Sequence, residues 1–440
     1  MTANVILLSI PGLRPEDLAA MPNLSAKFAQ GEKAPLVPSF PAVTWPTQCN
    51  MLTGKLANEH GVIANGFFWR DSNEVEMWTA WNEKIERPQI WDLLHQRDSK
   101  ITSAAWFPML SKGSGADYIC MPKPIHNPDG SESLWCYTKP IEYYGAFRDA
   151  LGHFPLKHFW GPLAGIPSTA WIVDSALIAM RDHRPNFFYI YLPQLDYAAQ
   201  KSGPDSPAAQ KAVAELDQVL GKLFAEGDAA YGDAKPLWIA AGEYAITAVD
   251  HVTYPNRMLR ESGLLAVKNN GEGELIDYAA SQAWALVDHQ FAHVFVRNAD
   301  SAVIEQVANL FRGQPGFAEV LAGKERAKYG LDHARSGEVI LVSSPNSWQA
   351  YYYWLDDAAA PKFATTVDIH QKPGYDPVEL HFDFANKRIP LDATLVKGSH
   401  GAPANSPEQF TVILASERGV LPTSPLKDVD VCELVLRRFA

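Results

Sequence analysis

The chain is short of cysteine, of long apolar runs and of positive charge, and each shortage removes a class of protein. Its four cysteines, Cys49, Cys120, Cys136 and Cys432, are scattered without metal-type spacing. They read as free, mostly buried thiols of a reducing cytoplasm. The first apolar run, Val5 to Ile10, has no basic stretch before it and is too short for a signal peptide or a membrane span. No later stretch reaches membrane length, so no membrane partner is expected. Basic residues number 38 against 50 acidic ones, a net charge of −12, which argues against a nucleic-acid backbone as partner. A small anionic ligand stays open, because a local site can oppose the global field. No internal repeat or low-complexity tract is present.

What remains is a folded globular composition, 47% hydrophobic and 20% charged over 440 residues. That length fits one large α/β domain with insertions, or two modest domains. Short apolar runs alternate with helix-like segments, the pattern of a mostly parallel sheet flanked by helices. The clearest runs are Val5 to Ile10, Phe187 to Leu192, Leu237 to Ala241, Ala292 to Val296, Val339 to Ser343 and Phe410 to Ala415. Ser206 to Glu226 and Trp171 to Arg181 read as helices. Residues 105–165 and 345–395 break the pattern with Pro, Gly and aromatic residues. Both read as cap insertions at the C-terminal edge of the sheet, where α/β folds place ligands.

The stretch FPAVTWPTQCNMLTGKLANEHGVIANGFF, residues 40–68, places Thr44 at a helix start. A threonine there caps the helix, and the same position lies beside outward N–H groups that favour anions. A free hydroxyl needs a base or a metal to attack. Carboxylates and an imidazole stand at the ends of other runs: Asp196 after FFYIYLPQL, Glu243 with Tyr244 after LWIAAG, and His400 in KGSHGAPAN. Singly, each has a plain reading as a cap, turn or loop residue. Together they outline an oxygen/nitrogen metal site.

The order of these pieces resembles the type I phosphodiesterase/nucleotide pyrophosphatase branch of the alkaline phosphatase superfamily. The strand before GLRP, the FPxxT…TG…HGxxAN block, LPQLDYAAQKSGP, the strand before GEYAI, AHVFV and the terminal GSHG carry the resemblance across residues 5 to about 415. It implies a single alkaline-phosphatase-like domain over residues 1–440, a Thr44 nucleophile, and two metal ions that activate it and stabilise the leaving oxygen. It places Asp196 and His400 on metal. It also expects Asp where Pro11 stands, His where Gln200 stands, and Asp-His where Glu243-Tyr244 stand.

Those departures make a two-zinc centre improbable and leave three readings. The first is a phosphodiesterase-like hydrolase with one divalent ion (Zn, Mn or Fe) on Asp196, Gln200, Glu243 and His400, and Tyr244 as proton donor or oxyanion partner. The second is a catalytically inactive protein that binds a small anionic or phosphorylated molecule. The third is an enzyme with other chemistry. Asn65, His370 and Lys372 are the expected substrate contacts, each weighed against a turn or surface role. His289 and His293 read as satisfied core histidines, with one of them facing a ligand as the alternative. The run WQAYYYW reads as an anchor for its insertion, or as a lid.

Overall fold

The run Val5–Ile10 forms β1 and is wholly buried, because an interior strand of a parallel sheet is covered on both faces. The computed structural model describes residues 3–127, 132–422 and 425–440. Around β1 the main sheet gathers β2 (Glu32–Val37), β3 (Ser103–Trp106), β4 (Tyr118–Pro122), β5 (Cys136–Lys139), β6 (Phe187–Tyr191) and β7 (Leu237–Gly242). A second sheet holds β8 (Ala283–Asp288), β9 (Phe291–Val296), β10 (Phe317–Ala322) and β11 (Val339–Ser343). The strands β12 (Thr411–Ala415) and β13 (Leu426–Lys427) return to the main sheet.

The nine-stranded order is β13-β2-β12-β7-β1-β6-β3-β4-β5. From β7 through β4 every pairing is parallel. The strand β12 runs antiparallel to both its neighbours. Helices α2 (Ile166–His183), α3 (Gln194–Ser202) and α4 (Pro207–Tyr231) share the core of the main sheet. The start of α4 follows capping rules: Ser206 accepts the Ala209 N–H and Pro207 opens the helix. Its apolar stripe, Ala209, Val213, Leu216, Leu220, Leu223 and Phe224, recurs every three or four residues and is buried.

Two sequence expectations need correction. Ala292–Val296 and Val339–Ser343 are strands, but they pair antiparallel in the four-stranded sheet β8-β9-β11-β10, not in the main one. The stretch 105–165 contributes β4 and β5 to the edge of the main sheet. The aromatics Trp348, Tyr351, Tyr352, Tyr353 and Trp354 are buried in the core of the second sheet, so they anchor their segment. All four cysteines are buried thiols. Among the described residues no helix is long and apolar enough to cross a membrane.

Candidate active site

Helix α1 (Thr44–Thr53) begins with Val43 as its N-cap, so Thr44 is its first helical residue. The expected capping role falls to Asn65 instead, whose Oδ1 accepts the Trp45 N–H at 3.0 Å. The Asn65 amide donates in turn to Asp288 Oδ1 at 3.1 Å, so both its ends are engaged. The Thr44 Oγ1 is thereby released from the backbone and lies 3.0 Å from the Tyr244 hydroxyl.

The strand register delivers the next groups. Ser9 pairs with Ala241 across β1 and β7, two residues before Glu243. Ser9 Oγ donates to Glu243 Oε1 at 2.7 Å, and Gln48 Nε2 donates to the same oxygen at 2.9 Å. Gln48 sits one helical turn after Thr44, so α1 presents both on one face. Gly242 is required where it stands, because a Cβ there would overlap the Thr411 side chain on β12. Beyond it, the Tyr244 ring stacks on His400 at 3.6 Å and 6°. His400 is fixed at three points. Its Nδ1 donates to the Ala42 carbonyl at 2.8 Å, its carbonyl accepts the Gln290 N–H, and Gly401 follows at φ 110°.

Helix α3 adds Asp196 and Gln200, also one turn apart. Gln200 Nε2 donates to Asp196 Oδ2 at 2.8 Å, and its Oε1 accepts the Tyr375 hydroxyl at 2.8 Å. Asp196 Oδ1 lies 3.4 Å from the Tyr244 hydroxyl and 3.7 Å from His400 Nε2. A tight turn between β8 and β9 holds His289 at φ 58° and aims it here. Its Nδ1 donates to Asp288 at 2.5 Å, and its ring packs between Tyr375 and His400. His293, by contrast, is a satisfied core histidine that meets the Ile63 carbonyl and the Gly337 N–H.

Burial dominates the electrostatics. It pushes the Asp196 carboxyl up to about 7 against the hydrogen bonds from Gln200 and Tyr244. It pushes Glu243 up to about 8 and Asp288 up to about 6. The same burial holds the His400 and His289 imidazoles well below their ordinary value, and so neutral. The 3.7 Å approach of His400 to Asp196 is therefore not a charged pair. Tyr244 is pushed well above the usual phenol range, first by burial and then by Asp196.

These residues do not fit a metal ion as they stand. Both Gln200 polar atoms and Asp196 Oδ2 are spent on neighbours, and the Tyr244 phenol lies between Thr44 and Asp196. Pro11 offers no ligand. Among the described residues no group of three or more His, Cys, Asp or Glu side chains is arranged to hold one. The single-ion set expected from Asp196, Gln200, Glu243 and His400 is not assembled. Two donors do keep an open lone pair: His400 Nε2 and Glu243 Oε2 are buried without a hydrogen-bond partner among the described residues. The void that Tyr244 and His400 line measures about 10 Å³, room for one water.

The second insertion reaches the site through a different residue from those expected. Lys372 is buried against the carboxylates of Asp376 and Glu379, at 2.7 Å each, and so locks its own loop. His370 meets the Met77 carbonyl at 3.2 Å. The loop residue that enters is Tyr375. Sequence reasoning also passed over Ser9, Gln48 and the Asp288 carboxylate. Of these, Gln48 alone carried a local signal, its four-residue spacing from Thr44.

Comparison with known proteins places this arrangement. Residues 5–376 match the family described as Type I phosphodiesterase / nucleotide pyrophosphatase. An uncharacterized pyrophosphatase/phosphodiesterase of Schizosaccharomyces pombe is 23% identical over 236 residues, 50% of this chain and 40% of that protein. The bis(5'-adenosyl)-triphosphatase enpp4 of Xenopus laevis is 26% identical over 233 residues, 51% of this chain and 43% of that protein. The match thus spans about two fifths of the length of these relatives. Among solved structures, phosphonoacetate hydrolase of Sinorhizobium meliloti with phosphonoacetate superposes with a TM-score of 0.66 at 16% identity, covering 100% of this chain and 96% of that one. Murine ectonucleotide pyrophosphatase/phosphodiesterase 5, an inactive variant with AMP, gives 0.62 at 15% identity, covering 99% and 95%. The fold is that of the alkaline phosphatase superfamily, and the chain belongs to the type I phosphodiesterase/nucleotide pyrophosphatase family of hydrolases.

Proposed function

We propose that the chain hydrolyses a small phosphodiester, with the Thr44 hydroxyl as the attacking group and a Tyr244–Asp196 proton path where the family uses metal. The observation that carries this reading is one continuous chain: Thr44 Oγ1 lies 3.0 Å from the Tyr244 hydroxyl, which lies 3.4 Å from Asp196 Oδ1. Thr44 attacks phosphorus and passes its proton to the phenol oxygen. The phenol passes its own proton to the Asp196 carboxylate. Asp196, now protonated, is the acid for the departing alkoxide, and water then cleaves the phosphothreonine. A carboxyl held near 7 by burial is matched to this exchange at neutral pH. With neutral imidazoles and no Lys or Arg among these groups, the site suits a singly charged diester better than a doubly charged monoester.

The test is turnover of bis(4-nitrophenyl) phosphate by protein treated with a chelator. Thr44→Ala should abolish it. Tyr244→Phe should lower kcat by about 10²-fold with KM little changed. Turnover that appears only with one equivalent of added zinc or manganese would replace this mechanism with a single-ion one. A silent member that binds a phosphorylated molecule is the second reading, favoured by the small void of about 10 Å³. It wins if the substrate binds and is never cleaved.

A further inference from the structure

Helix α3 has two working faces. Asp196 and Gln200 look toward Thr44. Gln194, Tyr197, Ala198 and Lys201, spaced by three and four residues, line a separate cavity of about 220 Å³. Its other walls come from Ala208, Ala212 and Glu215 on α4, Leu380, and Gly165 at the start of α2. That volume has room for roughly ten non-hydrogen atoms.

Three observations point to an occupant. The first is Lys201, half-buried on the cavity wall, whose ammonium has no ion-pair partner among the described residues. Burial lowers its pKa, so holding the charge there is unfavourable without a counter-ion. The other lysine of the wall, Lys211, is paired with Glu215 at 3.4 Å and adds no net charge. The second is Gln194, which is 2% exposed. Its Nε2 donates to Glu215 at 3.0 Å, while its Oε1 finds no donor among the described residues. The third is the start of α2, an 18-residue helix whose N-cap, Gly165, supplies no side-chain cap and whose first turn holds no acidic residue. Gly165 lies on the wall of the same cavity as Lys201.

We propose that this cavity is a second ligand site for a small oxyanion, a carboxylate or a phosphate ester, on a compact apolar body. The oxyanion lies between Lys201 and the start of α2. The apolar body lies on Ala208, Ala212 and Leu380, and a hydrogen-bond donor of the ligand meets Gln194. The site is separate from the chemistry at Thr44 and stands whether or not that site is catalytic.

3-Hydroxybenzoate and 3-hydroxyphenyl phosphate, each carrying an oxyanion, an apolar ring and a hydroxyl donor, are the probes, titrated into the full chain and read by calorimetry and ligand-observed NMR. At least one should bind in the millimolar range, as expected for fragments of this size. The tighter of the two identifies the oxyanion. Lys201→Gln should weaken binding by about tenfold. Ala208→Trp, at an exposed position on the rim, should fill the cavity and abolish it. Thr44→Ala should leave it unchanged. The proposal is overturned if neither probe binds the wild-type chain at millimolar concentration, or if binding survives both Lys201→Gln and Ala208→Trp. Loss of binding in Thr44→Ala would also overturn it, by placing the probe in the other site.

Discussion

Tyr244 decides what the site can do. Its ring covers His400 and its hydroxyl reaches Thr44, so one side chain takes the space where the family resemblance puts a metal ligand. Reversing three of the four departures, with Glu243 kept as the carboxylate, is the direct check. The triple variant Pro11→Asp, Gln200→His, Tyr244→His should take up zinc, measured by elemental analysis, where the wild-type chain takes up none. Stoichiometric zinc already in the wild-type protein would refute this account of the site. Thr44, Asp196, Glu243, Tyr244 and His400 were legible in the sequence because each ends a run or sits in a spaced motif. The structure brings all five together. Ser9, Tyr375 and Asp288 were not legible, because register and loop packing recruit them from far along the chain. Ser9 reaches Glu243 only because β1 lies beside β7.

At the level of elements, the loop around Lys372 is held by its own ion pairs. The segment HQKPGYDP does reach the site, but its lysine closes the loop on itself while Tyr375 makes the contact. Replacing Lys372 by Met leaves Asp376 and Glu379 buried together without a cation. A loss of about 3–5 kcal/mol is expected in urea unfolding. If stability changes by less than about 1 kcal/mol, the triad is not what holds the loop. Strands were legible as apolar runs, yet a run does not state its partner. Residues 292–296 and 339–343 look like parallel interior strands because both their faces are covered, and a second sheet covers a strand just as completely.

Across the whole molecule, buried histidines set a limit toward acid. Burial pushes His60 down to about 3 and His293 to about 4. Both are neutral in the fold, whereas the unfolded chain protonates them below about 6.5. Their contribution is therefore intact above that pH and is lost as pH falls toward 4, by roughly 3 kcal/mol each. Asp196, Glu243 and Asp288 act in the opposite sense, since raised carboxyl values lose stability as pH rises from about 4 toward 8. The two effects are separated by comparing the wild-type chain with His60→Gln in urea at pH 7 and pH 4.5. The variant should lose less on acidification, and an equal loss would show that His60 is not protonated on unfolding.

The strand order has a consequence for biosynthesis. β2, completed by residue 37, pairs in the main sheet with β12 and β13, both made about 370 residues later or more. The helix carrying Thr44 is likewise tied late: Asp428 accepts hydrogen bonds from Ser39 at 2.5 Å and Asn50 at 2.7 Å. On the ribosome the helix carrying Thr44 therefore emerges early and lacks its Asp428 anchor until residue 428 follows. Translation that stalls before that point leaves β2 without its strand partners and α1 without Asp428, a species for chaperones or proteases to meet.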